Sequence, residues 1–522
     1  MKRCIVGYTG FVGSNLLQFY NFDYFYNSKN FKDASNQLFD EIYFCGVPAV
    51  KWYANKNPEE DNIIINNIMN ILKTIKTNKF FLISTIDVYE NVNSQEDETY
   101  ECNYNINHTY GKNRFIFEQF IKLQYDNHHI IRLPALFGKG LKKNIIYDLL
   151  HNNELFNIPI NSSFQWYDLN WLKQDIELIV KHDIKLCNLF TEPIDTIRIL
   201  NLFNYDINSF DNIKKLSYNL KTKYGEYFNS NINGYIRDSN MVESSIRDYI
   251  KFYKLKKDNL VVSNICIKNM SQLQFACILK LYGITNVQIA PTTIISWDII
   301  NPQFNNIDLS IFTNNNLSVY SFQSITYTLN HMNIFNENSS NLLLHLKNVI
   351  DVASHNNVKI LVFGCPRNRY ILDTSLDNEI TFINFFKEVG SYCDNKNITI
   401  CIEPNSKKYN CNFLNTISDV GNIVNKINNN NIKMMVDLGN IIMEDDNIED
   451  IYMYQDIIYN IDIAQEKMIN FTNMHSKNQE FKNILKKINY NKKINLEMLL
   501  SSDNEIEELT LSLNNFINNY VL

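Results

Sequence analysis

The stretch ITICIEPN (Ile398–Asn405) runs β-branched and apolar as far as Ile402 and then stops on a carboxylate, Glu403. The same shape returns at IKMMVDLG (Ile432–Gly439), which ends on Asp437, and at KINLEML (Lys493–Leu499), which ends on Glu497. A short apolar run bounded by turn residues reads as a buried strand. A carboxylate repeated at the end of such strands is costly unless it is paired or bound to a cation.

Working outward, LVVSNICI, NVQIAPT, LSVYSFQS, KILVFGC and MINFTNMHS (Met468–Ser476) join these three, with a helix-length segment after nearly every one. Eight strand–helix units over 259–522 predict a closed eight-stranded TIM barrel. Before it, KRCIVGY, FDYFYNS, EIYFCGV, KFFLIST and HIIRLPA alternate with amphipathic segments, which predicts an α/β unit with a parallel sheet over 1–206. The more polar segment 207–258 reads as a joint, with a helix at VESSIRDYIKFYKL (Val242–Leu255). At 522 residues, with 45% apolar and 20% charged composition, two or more globular domains are expected.

In the first block Gly7, Gly10 and Gly13 of GYTGFVG lie between a strand and a helix. There glycines let the backbone turn tightly and approach a pyrophosphate. With FLISTIDVYE (Phe81–Glu90) and HTYGKNRFIFEQ (His108–Gln119), this turn resembles the extended short-chain dehydrogenase/reductase family, the sugar-nucleotide epimerases and reductases. The resemblance covers about 1–205 and implies a Rossmann-type NAD(P) fold. It implies that Thr85, with Ser84 beside it, polarises the substrate oxygen and that Tyr110 is the general acid/base. Arg114 stands where the family has Lys; it keeps the charge but not the shape. The end of the second strand, YFYNSKNF, offers Asn27, Ser28 and Lys29 and no acid to grip a ribose 2′-hydroxyl, so NADP is favoured over NAD. Arg132 and Tyr167 are candidates for substrate contact or for structure.

In the barrel half the strand ends present Glu403, Asp437, His475 (in TNMHS) and Glu497. Three carboxylates and an imidazole suit a divalent metal, Mn²⁺ or Mg²⁺. The set resembles the xylose isomerase-like barrel family, which includes ketose 3-epimerases, inosose dehydratases and endonucleases acting at abasic sites. That resemblance covers about 259–522. It implies one metal ion held by Glu403, Asp437, His475 and Glu497, with Glu403 and Glu497 also moving protons. Where family members often carry a substrate-binding His three residues after the Asp, this chain has Asn440. The nuclease branch needs a trinuclear site, and the barrel half holds only His331, His345, His355 and His475. Arg367 and Arg369 in FGCPRNR suit a phosphate or carboxylate on the substrate. Gln323, Tyr409 and Asn412 are further candidates for substrate contact.

These readings combine into a bifunctional carbohydrate enzyme. An oxidoreductase- or epimerase-like module would be fused to a metal-dependent sugar isomerase or epimerase acting on a sugar or nucleotide-sugar. The alternative is an N-terminal module that only binds nucleotide, with Arg114 for Lys, and a barrel that alone catalyses. A net charge of −7 leaves no basic footprint for nucleic acid or membrane. Ten cysteines without paired spacing, and no stretch long enough to span a bilayer, point to a cytoplasmic chain. A homodimer is the assembly both resemblances allow.

Overall fold

The structure is a computed structural model that describes residues 1–521 apart from 204, 206–214, 229–233, 296–306, 375–376 and 502. It falls into two compact units, Met1–Lys254 and Leu255–Leu522. Of the joint, residues 207–214 and 229–233 lie outside the described residues. The helix expected there is Ser239–Lys254, and its Val242, Ile246, Tyr249 and Ile250 enter a core of the first unit.

The first unit is built on β1 (Arg3–Val6), β2 (Tyr24–Tyr26), β3 (Leu38–Phe44), β4 (Lys76–Thr85) and β5 (His128–Leu133). Then come β6 (Ala135–Phe137), β7 (Ser163–Phe164), β8 (Trp166–Asp168), β9 (Leu186–Asn188) and β10 (Ile194–Asp195). Six of them form one parallel sheet in the order β2-β1-β3-β4-β5-β9, flanked by the small pairs β6–β8 and β7–β10. The middle of β4, Phe80–Ile83, is a continuous apolar run, as expected where a parallel sheet is covered on both faces. The helices that frame the site are α1 (Phe11–Leu16), α2 (Lys51–Lys56), α3 (Pro58–Leu72) and α4 (Thr109–Gln124). Strand order reverses between β1 and β3, where open α/β sheets leave a crevice at the strand C-termini.

The glycine turn sits at that crevice. Gly7 has φ +88, and a Cβ on it would meet the Cys45 carbonyl oxygen at 2.5 Å. A Cβ on Gly13 would meet the Gly7 carbonyl oxygen at 2.2 Å. No larger residue fits either position without moving backbone.

The second unit is a closed barrel of eight parallel strands. They are β11 (Leu260–Ser263), β12 (Asn286–Ile289), β13 (Ser318–Phe322), β14 (Ile360–Phe363), β15 (Thr399–Ile402), β16 (Ile432–Asp437), β17 (Ile458–Ile463) and β18 (Ile494–Leu496), and β18 pairs back to β11. Ile360, Val362, Cys401 and Met435 pack with Tyr320 and Tyr459 as one apolar cluster. Seven strands fall where the sequence predicts them. The seventh does not: it is IYNIDI, not MINFTNMHS. Lys467 and Met468 have positive φ (58° and 57°), which a strand cannot accommodate. Gln465 Nε2 then donates to the carbonyls of Asn470 and Asn473, each at 2.7 Å, and holds the following residues as a loop. No helix of the described residues is long and apolar enough to cross a membrane.

Candidate functional sites

Four acids line the mouth of the barrel on four consecutive strands. Asp437 closes β16 and pairs in register with Asp462 of β17, which in turn pairs with Asn495 of β18. Glu403 follows β15 directly and Glu497 follows β18. Burial, then the charges of Glu497, Asp437 and Asp462, hold Glu403 well above the usual carboxylate range, while the Arg369 guanidinium pulls the other way. Burial, then Asp462 and Asp437, raise Glu497 in the same manner. Asp462 is pushed up to about 8 by burial and by Asp437. Asp437 rises to about 6 by burial, although it accepts the N–H groups of Gly439 (2.8 Å) and Asn440 (3.2 Å) at the start of its helix. Like charges sharing one water-poor site favour protonation in this way.

The surrounding residues fix these acids. Asn460 Nδ2 donates to Asp462 Oδ1 at 2.9 Å, and Asn495 bonds the same carboxylate while giving its own Nδ2 to Gln288 Oε1 at 2.6 Å. Gln323 donates to Ser263 Oγ at 2.6 Å and also reaches Glu497. Glu403 has room only because residue 364 is glycine: a Cβ there would stand 1.6 Å from Glu403 Oε2. Arg369 is fully buried, with Nη2 on Asn405 Oδ1 at 2.6 Å and Nε and Nη1 without hydrogen-bond partners.

The sequence-predicted residues divide. Glu403, Asp437 and Glu497 stand at the C-terminal ends of β15, β16 and β18. His475 does not lie at a strand end; it is exposed in the loop after β17, its backbone N–H on Gln465 Oε1 and its Nδ1 accepting the Lys477 N–H. The strand it was expected to close is Ile458–Ile463, and the side chain that stands with the other three acids is Asp462. Tyr409 is 40% exposed, and its hydroxyl is raised to about 12 by partial burial and then by the charges of Asp437, Glu497 and Glu403. Asn440 is buried, with Nδ2 on the Asn415 carbonyl and Oδ1 unpartnered. Arg367 is exposed, and Asn412 is spent on the backbone of Ile371. Among the described residues, no three His, Cys, Asp or Glu side chains close around a point that could hold a metal ion as they stand. The donor chemistry nonetheless fits a hard divalent ion, since all four groups offer oxygen and all four are buried carboxyls raised first by desolvation.

The first unit holds a cavity of about 1250 Å³ at its crevice. Gly7, Gly10, Asn27, Lys29, Ser84, Thr85, Tyr110 and Arg114 line it; Gly13 is buried behind in α1. Thr85 hydrogen-bonds Tyr110, whose hydroxyl burial raises to about 12 in spite of the Arg114 charge. Arg114 stacks on the Tyr110 ring, 4.1 Å from its centroid. Its Nη1 donates to Asp61 and its Nη2 to the Pro48 carbonyl. Ser84 gives its hydroxyl to Glu118 at 2.5 Å. Arg132 is held by Glu118 through two bonds (3.0 and 2.6 Å), and Tyr167 by Asp175 (2.6 Å). Both are buried and structural.

Asp462, Gly364 and Asp61 escaped the sequence reading. For Asp462 the signal was present: in IYNIDI two polar residues alternate with isoleucines, the pattern of a strand whose polar side faces a barrel interior.

Residues 312–516 match the family model described as xylose isomerase-like TIM barrel. Among solved structures, the chain is similar to 3-keto-D-glucoside 4-epimerase from E. coli, at 12% identity over 49% of this chain and 100% of that one, TM-score 0.40. It is similar to D-psicose 3-epimerase from Clostridium cellulolyticum H10, at 12% over 50% and 99%, TM-score 0.42. For D-allulose 3-epimerase from Methylomonas sp. the values are 15% over 51% and 98%, TM-score 0.41. No curated protein matches the sequence. The C-terminal unit is thus a closed eight-stranded parallel barrel, most of which matches that family model.

Proposed function

We propose that the chain is a two-part carbohydrate enzyme whose barrel is a divalent-metal-dependent sugar isomerase or epimerase. The observation that carries this reading is the set of four acids on consecutive strands, all driven toward protonation by burial and three of them, Glu403, Asp462 and Glu497, also by neighbouring carboxylates. A cation would relieve that repulsion. Glu403, Asp437, Asp462 and Glu497 would hold it, with Asp462 in the role expected of His475. Mn²⁺ or Mg²⁺ would supply the positive charge that polarises a sugar carbonyl. Glu403 and Glu497, on β15 and β18, would be the proton carriers, one carboxylate taking a proton from a substrate carbon and the other carboxyl returning one. Gln323 and Asn440 offer amides to sugar hydroxyls, Tyr409 a hydroxyl at the rim, and Arg367 and Arg369 positive charge.

The first unit is read as a Rossmann-type NAD(P) module of the short-chain reductase kind, with Thr85 and Tyr110 at its centre. A second reading, nucleotide binding without turnover, is favoured by Arg114. Its charge is already engaged by Asp61 and the Pro48 carbonyl, and Tyr110 remains a weak acid. NADPH oxidation in the presence of nucleotide-sugars separates the two.

For the barrel, the test is deuterium incorporation from D₂O into the carbon-bound positions of ketohexoses, followed by NMR with Mn²⁺ present. The proposal expects exchange by the native protein and its loss in Glu403→Gln and Glu497→Gln. Equal exchange in native protein and both variants would refute it.

A further inference from the structure

The cavity of the first unit is charged in one sense only. Lys29, Lys32, Lys142, Lys143 and Arg114 line it, and no Asp or Glu does, in a chain whose net charge is −7. Arg114 is matched by Asp61 behind the wall, and Lys143 gives its ammonium to the Ala49 carbonyl at 3.2 Å. Lys29 and Lys32 lie just beyond the C-terminus of β2 and have no ion-pair partner among the described residues.

The loop that carries them is rigidly built. Asn27 accepts the Lys29 N–H on its side chain at 2.9 Å, and Asn30 accepts the Asn27 N–H at 2.7 Å. Asn30 Nδ2 holds the Phe25 carbonyl at 3.1 Å, and Phe31 is buried as an anchor. Ser28, Lys29 and Lys32 are thereby presented at the cavity edge on a fixed backbone. Asp33, the nearest acid in sequence, does not line the cavity.

In a sheet of this kind an adenosine ribose lies beside the end of the second strand. A carboxylate at that place accepts from a free 2′-hydroxyl and repels a 2′-phosphate; two ammonium groups and a hydroxyl do the reverse. We infer that this cavity selects a dinucleotide phosphorylated on the adenosine ribose, NADP(H) over NAD(H), and that Lys29 and Lys32 are the selecting residues. The inference rests on the dinucleotide reading of the first unit and narrows it to one cofactor.

Fluorescence titration of the full chain with NADPH and with NADH tests it, with the Lys29→Ala/Lys32→Ala double variant in parallel. NADPH should bind the native chain about tenfold to a hundredfold tighter than NADH, as expected for two charge-assisted contacts to one phosphate. The double variant should lose that margin and keep its NADH affinity, which also shows that it is folded. Adenosine 2′,5′-bisphosphate should displace NADPH from the native chain better than adenosine 5′-monophosphate does. NADH binding as tight as NADPH overturns the inference alone. Binding of neither overturns the dinucleotide reading together with it.

Discussion

At the scale of single residues the barrel site turns on Asp462 and Gly364. Asn460 Nδ2 holds Asp462 Oδ1 at 2.9 Å, in register beside Asp437. The folded-state pKa of Asp462 is raised from the ordinary 3.8 to about 8, and that of Asp437 to about 6. The folded state therefore holds more protons than the unfolded chain between those values, and stability must fall as pH rises through them. The metal-free protein should lose melting temperature steadily from pH 4 to pH 8, less so in Asp462→Asn. Differential scanning calorimetry in chelator reads this, and a melting temperature that rises over the same interval would count against the cluster. Gly364 makes a second prediction. A methyl group there would overlap Glu403 Oε2 at 1.6 Å, so Gly364→Ala must displace the carboxylate. We expect at least about tenfold weaker Mn²⁺ binding, the penalty typical of disturbing a ligand's support, with the circular dichroism spectrum unchanged.

At the scale of elements, most of the fold was legible because parallel strands buried on both faces write themselves as apolar runs. The glycine turn after β1 and the acids closing β15, β16 and β18 were readable for the same reason: each interrupts such a run where chemistry or a tight turn requires it. The seventh barrel strand was not. Its inward positions, Asn460 and Asp462, are polar, so IYNIDI lacks the apolar signature, while MINFTNMHS has it and ends on an attractive imidazole. Left-handed backbone at Lys467 and Met468 excludes a strand there, and no local pattern announces it. In the first unit, Arg132 on β5, a candidate for substrate contact or for structure, ties β5 to α4 through Glu118, both side chains buried. Removing one partner of such a pair strands the other charge. Arg132→Met should cost about 3–5 kcal/mol in urea unfolding of that unit, whereas Arg132→Met with Glu118→Leu should recover much of the loss.

At the scale of the whole molecule, two units each with its own core carry two chemically opposite sites: a cavity lined by cations and no acids, and a barrel mouth crowded with acids. The first calls for an anion, the second for a cation. Neither requirement was visible in overall composition, because a net charge of −7 averages over both. The sharpest test is equilibrium binding of Mn²⁺ to the full chain at pH 7.5, read by electron paramagnetic resonance of the free ion. One Mn²⁺ per chain, weakened at least about tenfold by Asp462→Asn and unaffected by His475→Ala, is the predicted result. No bound Mn²⁺ in the native chain, or binding lost in His475→Ala and kept in Asp462→Asn, would contradict a cation site built from the acids of β15 to β18.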